Sequence, residues 1–205
     1  MKIIKRTALI LSSVLILLAD PSVINAQRSH FSFSLSPVLP LTDLKTNARW
    51  GFLGGNINYR FDLIKKLSWC CSIAYQRFGS RTVIVDSFTG ATYESKLAYI
   101  PVTSGFQFFL NNNKTRYYLV AKGGYYFPSA DFEEGDWGVS PGAGVQIPFQ
   151  SKNMKIDFSL MYDRIFGSVT KEFTAYSKYG GSVTSQTSYS YTSYIAVNIG
   201  LSFGK

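Results

Sequence analysis

Apolar and polar residues alternate along this chain in eight separate runs. Between Ser29 and Leu39, Phe31, Phe33 and Leu35 alternate with Ser32, Ser34 and Ser36. From Trp50 to Leu63, the residues Leu53, Ile57, Tyr59, Phe61 and Leu63 oppose Asn56, Asn58, Arg60 and Asp62. From Leu67 to Gly79, Trp69, Cys71, Ile73 and Tyr75 oppose Ser68, Cys70, Ser72, Ala74 and Gln76. A fourth run, Glu94 to Phe109, has its better apolar face on Ile100, Val102, Phe106 and Phe108, although Leu97, Tyr99 and Phe109 fall on the other set. The fifth, Arg116 to Phe127, opposes Tyr117, Leu119, Ala121 and Tyr125 to Tyr118, Lys122, Gly124 and Tyr126. The sixth, Gly138 to Phe149, opposes Val139, Ala143, Val145 and Ile147 to Ser140, Gly142, Gly144 and Gln146. The seventh, Lys155 to Phe166, opposes Ile156, Phe158, Leu160 and Tyr162 to Asp157, Ser159, Met161 and Asp163. The eighth, Tyr189 to Phe203, is the cleanest, with Ile195, Val197, Ile199, Leu201 and Phe203 against Tyr194, Ala196, Asn198, Gly200 and Ser202. A period of two is the signature of a strand with one apolar face.

Most of these runs exceed a soluble strand of about 5–6 residues and suit a tilted membrane strand of roughly 9–11. Their connections alternate in length. Lys65-Lys66, Asn111 to Lys114 and Ser151 to Asn153 are short and polar, whereas Pro40 to Arg49, Ser80 to Tyr93, Pro128 to Trp137 and Gly167 to Ser188 are long. Outer-membrane barrels pair short periplasmic turns with longer external loops. The expected fold is therefore all-β, an eight-stranded antiparallel up-and-down transmembrane β-barrel with both termini on the periplasmic side. Pro101 and Pro141 fall inside strands, where proline cannot donate to a ladder, so a break or bulge is expected at each.

Alternation does not say which face meets water, since a soluble barrel turns its apolar face inward. The polar face decides. It consists mainly of Ser, Gly, Asn and Gln, with fewer charges than a solvated surface carries. Such residues suit a narrow lumen, where charges must be paired. Arg60, Lys122 and Arg164 are expected to match Asp62, Asp157 and Asp163 in an internal polar lattice that plugs the barrel. Trp50, Phe61, Trp69, Phe127, Trp137, Phe149, Tyr191 and Phe203 lie near strand ends, where interfacial aromatic girdles belong.

The first residues change the picture of where the barrel lives. Lys2, Lys5 and Arg6 precede a run of about 12 apolar residues, Ala8 to Ala19, the length of a signal-peptide core. A membrane anchor helix needs roughly 20. The sequence predicts a leader over 1–26, cut before Gln27, and one barrel domain over 27–205. The full chain carries 21 Lys+Arg against 12 Asp+Glu, a net charge of +9. These charges are scattered singly, and an exported chain with no basic stripe is not built for nucleic acid. The only cysteines, Cys70 and Cys71, are adjacent and point to opposite faces of a strand, which excludes a disulfide framework or a metal-type spacing.

Tyr99-Ile100-Pro101-Val102, Gly123-Gly124-Tyr125, Gly142-Ala143-Gly144-Val145 and the ending Ile199-Gly200-Leu201-Ser202-Phe203 follow one another in an informative order. With them the chain resembles the small outer-membrane barrels of Bacteroidetes, the porin-like β-barrel domain family. Its architecture is similar to OmpX and to the barrel domain of OmpA. The resemblance implies an outer-membrane location, contact with outer-membrane lipids including lipopolysaccharide, and insertion by the barrel assembly machinery, whose signal the last strand resembles. Gly204 and Lys205 follow its aromatic, so that match is imperfect. The family carries over no catalytic residue and no cofactor.

Three features remain as candidate chemistry. His30 and Ser32 share a face, and lipid A deacylase barrels use a similar His-x-Ser pair. A serine nucleophile needs such a base, but His30 sits at the periplasmic end, away from the outer leaflet. Asp131, Glu133, Glu134 and Asp136 form an acidic run in the third long connection, with no calcium-loop spacing. The last long connection is rich in Ser, Thr and Tyr, good binding material for an extracellular ligand. The expected function is a non-enzymatic envelope barrel that presents external loops. The alternatives are a narrow porin for small solutes, which an eight-stranded interior filled by side chains opposes, and a lipid-modifying enzyme.

Overall fold

A computed structural model of the chain describes residues 28–41, 48–86, 91–95, 97–128, 135–149, 151–176 and 182–204. The leader over 1–26 lies outside them, as do Asp131, Glu133 and Glu134 of the acidic run.

The described residues form β1 (Ser29–Leu35), β2 (Val38–Leu41), β3 (Gly54–Ile64), β4 (Leu67–Arg77), β5 (Arg81–Asp86), β6 (Ala91–Ser95), β7 (Ala98–Phe109), β8 (Arg116–Pro128), β9 (Asp136–Phe149), β10 (Ser151–Tyr176) and β11 (Ser182–Gly204). Neighbours pair antiparallel in the order β1-β3-β4-β7-β8-β9-β10-β11, and β1 pairs back onto β11. That last pairing closes the sheet and removes both edges. β1 and β2 are one staved wall. Leu35 faces Ile199 and Val38 faces Ala196, so the register on β11 is kept through Ser36 and Pro37. Val197 N donates to the Pro37 carbonyl at 2.9 Å, which holds the ladder across the proline. The result is a closed, eight-stranded antiparallel barrel.

Side chains separate by parity. Phe31, Phe33, Ile57, Ile73, Val102, Phe106, Leu119, Phe158, Leu160, Val197 and Ile199 are all exposed large apolar residues on the outside of the wall. Their strand neighbours Arg60, Ser68, Gln76, Thr103, Gln107, Gln146, Asp163 and Asn198 are buried inside it. Water-soluble proteins do not leave an apolar belt of this extent uncovered. Aromatics on the outside join across strands. Phe31 meets Tyr59 at 5.2 Å and Tyr59 meets Trp69 at 6.5 Å near the short turns, while Tyr125 meets Phe127 at 4.7 Å and Trp137 at 5.8 Å near the opposite end. Trp50, Phe127, Trp137, Phe149 and Phe203 are exposed, whereas Phe61 and Trp69 are half-buried among neighbours. The side chain of Tyr191 lies outside the described residues.

Pro101 and Pro141 give the expected local break in the ladder, without a bulge and on one side of the strand only. β7 keeps one register on β8 from Tyr99↔Pro128 to Phe109↔Tyr118, and on β4 the pairs Ile73↔Val102 and Gln76↔Tyr99 stay in step with only the positions between them unpaired. Ala121 faces Pro141 on β8, and the pairs Met161↔Gly142 and Arg164↔Val139 also stay in step. Each proline removes pairing on one side and leaves the ladder on its other side intact.

The connection expected over 167–188 is mostly strand. β10 and β11 remain paired from Ser168↔Ser190 to Tyr176↔Ser182, past a register shift between Ile165 and Ser168. These nine pairs carry a two-stranded ribbon about 30 Å beyond the wall at about 3.4 Å per residue. Its β-branched and aromatic residues favour strand, but its Ser/Thr-rich sequence shows no apolar alternation to read. β5 and β6 form a second, shorter ribbon, Arg81↔Ser95 to Asp86↔Ala91, within the connection expected over 80–93.

The interior is also less uniformly polar than the pattern implies. Phe78, Leu97, Tyr99, Phe109, Val120, Met161 and Ile165 are buried within it. The glycines of the sixth run make room for such rings. A Cβ on Gly144 would run into the Tyr118 ring, so the glycine is the seat of that tyrosine.

Candidate functional site: the lumen

The strands deliver inward-facing residues in three layers. Nearest the termini and the short turns, Asp62 on β3 accepts from Ser68 Oγ at 2.6 Å, faces His30 Nε2 at 3.3 Å and meets Arg60 Nε at 3.4 Å. Arg60 is 2% exposed. Its guanidinium carbon lies 5.1 Å from the Phe109 ring centroid, and that of Arg116 lies 3.5 Å from the same ring. Cations stack favourably on aromatic faces, so Phe109 holds two arginines across the mouth.

In the middle layer Asp157 accepts from Tyr118 Oη and from Gln146 Nε2, both at 2.6 Å. Lys122 Nζ donates to Ser72 Oγ at 3.0 Å, and Ser72 Oγ is 2.8 Å from Thr103 Oγ1. Asn198 Nδ2 donates to Ser159 Oγ at 3.2 Å. Between these groups lies a small cavity lined by Asn58, Gln107, Lys122, Asp157 and Asn198 among others, with room for roughly two waters.

The third layer faces the ribbons. Tyr126 Oη donates to Asp163 Oδ1 at 2.6 Å, with both residues buried. Tyr194 Oη donates to Gln76 Oε1 at 2.5 Å. Tyr194 stacks on Tyr99 at 6.3 Å, and Phe78 sits edge-on to both, at 5.2 Å from Tyr194 and 6.2 Å from Tyr99. These rings form a lid.

Of the six residues expected in the polar lattice, five point into the lumen, in different layers. Arg60 and Asp62 meet each other. Lys122, Asp157 and Asp163 have hydroxyl or amide partners in the bonds above. Arg164 is corrected. It is exposed and shares the outward parity of Phe158, Leu160 and Tyr162, because an even residue on β10 leads outward and Asp163 before it leads inward. Tyr118, Tyr126, Tyr194 and Gln146, which do the pairing, were not singled out from the sequence. Their signal is parity: each shares a face with Lys122, Asn198 or Ser140. In the His-x-Ser pair, Ser32 Oγ lies 3.4 Å from the Asn58 carbonyl, to which it donates. His30 Nε2 turns to Asp62. Cys70 and Cys71 are free thiols, one inward and one outward.

A closed barrel with an apolar, aromatic-rimmed outside and a filled, hydrogen-bonded inside is an outer-membrane β-barrel, and its location is the outer membrane. Solved structures of similar fold are of that class. The chain is similar to Neisserial surface protein A, with 12% identity over 86% of this chain and 96% of that one, at a TM-score of 0.56. It is also similar to a major outer membrane protein from Thermus thermophilus, with 12% identity over 85% and 99% of the two chains, at a TM-score of 0.50. Ail, the attachment invasion locus protein of Yersinia pestis, matches at 16% identity over 87% and 98%, with a TM-score of 0.46. No protein-family model matches the chain, and no curated protein matches it.

Proposed function

We propose that the protein is a non-enzymatic outer-membrane barrel that supports the envelope and presents its ribbons and loops outside the cell. The observation that carries this reading is the filled lumen. The Phe78–Tyr99–Tyr194 lid closes one end, the Arg60–Phe109–Arg116 stack closes the other, and the cavity between them is of water size. Bulk solute has no path through such an interior. The non-enzymatic reading is supported by His30, whose imidazole engages Asp62 rather than Ser32. The long β10–β11 ribbon supports a surface-contact role, with an extracellular ligand as its partner. The remaining proposed partners are outer-membrane lipids, including lipopolysaccharide, at the apolar belt, and the barrel assembly machinery at β11. The ordered motifs from Tyr99-Ile100-Pro101-Val102 to Ile199-Gly200-Leu201-Ser202-Phe203 support membership of the Bacteroidetes porin-like barrels.

Planar-bilayer recording tests this. The wild-type barrel is expected to give no steady open state. A steady, large conductance would replace the structural reading with the narrow porin.

A further inference from the structure

The two ends of the lumen are closed by different chemistry. The lid is built from rings and neutral hydrogen bonds, but the mouth beside the short turns is cationic. Arg60 and Arg116 share the Phe109 ring. Arg28, Arg60 and Arg116 all lie within electrostatic range of Lys155, and Arg28 and Arg60 within range of Arg116. Arg116 Nη2 donates to the carbonyl of Lys65, so the Lys65-Lys66 turn sits at the same rim. Two carboxylates face Arg60, Asp62 and Asp157. Asp62 is shared with Ser68 and His30, and Asp157 with Tyr118 and Gln146.

Four cations thus converge where two carboxylates are already engaged. Arg60 is 2% exposed, yet its Nη2 has no hydrogen-bond partner. A buried donor left unmade is costly, and more so when charged. Arg60 and Arg116 sit on the same ring, and their like charges repel. An anion at the mouth offsets the repulsion and the uncompensated charge of Arg60 behind it. Guanidinium forks and a nearby ammonium match the oxygens of phosphate in particular.

We propose that this mouth binds a phosphate group, with Arg28, Arg116 and Lys155 at the rim and the charge of Arg60 behind them. The source of the phosphate rests on the membrane reading above, which sets the mouth level with the headgroups of the inner leaflet. An anionic phospholipid headgroup is one source and free phosphate the other, and the chemistry of recognition is shared.

The test uses the full chain folded in neutral detergent. Native mass spectrometry and melting are followed with added phosphatidylglycerol, with phosphatidylcholine, and with inorganic phosphate. Retained phosphatidylglycerol with a raised melting temperature, exceeding the effect of phosphatidylcholine, assigns the headgroup. A rise with inorganic phosphate alone assigns the free anion. In the Arg116→Gln/Lys155→Gln double variant, the response is expected to weaken about tenfold, whereas Arg77→Gln, at the opposite end of β4, leaves it unchanged. A gel that reports the folded band by its heat-modified mobility confirms that each variant is a barrel. No response to either probe, or an equal response from the double variant, overturns the proposal. That failure leaves the closed-lumen reading standing, because conductance tests it separately.

Discussion

Leu160→Arg is expected to cost the barrel about 2–4 kcal/mol, the range for a cation at the midplane of a membrane barrel. Leu160 is 54% exposed and faces outward between Ala143 on β9 and Val197 on β11, well away from both the turn before β10 and the ribbon beyond it. An arginine there must hold its charge in hydrocarbon or bend toward a headgroup. Leu63→Arg is the depth control. Leu63 also faces outward, but it lies next to the Lys65-Lys66 turn, where the cost falls to about 0–1 kcal/mol. Equilibrium unfolding in lipid vesicles, read from the fluorescence of Trp50, Trp69 and Trp137, measures both. Equal, negligible costs at the two depths would mean that the outside of the wall faces water.

Tyr126→Phe removes one oxygen and is expected to cost about 1–3 kcal/mol, the range for leaving a buried polar partner unsatisfied. The ring stays and no cavity opens, so the loss isolates the 2.6 Å bond to Asp163. Asp163 is 3% exposed and Tyr126 fully buried, so water does not replace the missing donor. The partner change, Asp163→Asn, replaces the carboxyl that accepts this bond with an amide. The double-mutant cycle should therefore show positive coupling between the two sites. A cost below about 0.5 kcal/mol for Tyr126→Phe, a surface-like value, would remove this pair from the forces that hold the lumen closed.

The eight staves and their facing were legible in the sequence because a wall with hydrocarbon on one side and packed polar groups on the other imposes a period of two. β11 shows this most plainly, from Tyr194 inward to Phe203 outward. The Ser/Thr-rich ribbon of β10 and β11 carries no such contrast in its sequence, so it read as a loop. The prolines break the ladder as expected, but only on one side. A ladder has two sides, and losing pairs on one leaves register set by the other.

The lumen was only partly legible. Inward parity found Arg60, Asp62, Lys122, Asp157 and Asp163, and the same parity excludes Arg164. What parity does not give is who meets whom. Tyr118 reaches Asp157 across 39 positions of chain and Tyr126 reaches Asp163 across 37. These pairs depend on barrel closure and stagger, which no single strand records. Matching charge to charge holds for Arg60 and Asp62, while Asp157 and Asp163 take tyrosine, whose ring fills the lumen as its hydroxyl donates.

Spin-label scanning along β11 from Ala196 to Phe203, in vesicles, tests the central claim most directly. Labels at 197, 199, 201 and 203 are expected to collide freely with oxygen dissolved in the lipid, and labels at 196, 198 and 202 to be shielded. The opposite phase, or a processed chain that stays monodisperse in water without detergent, would contradict a barrel whose apolar face is its outside.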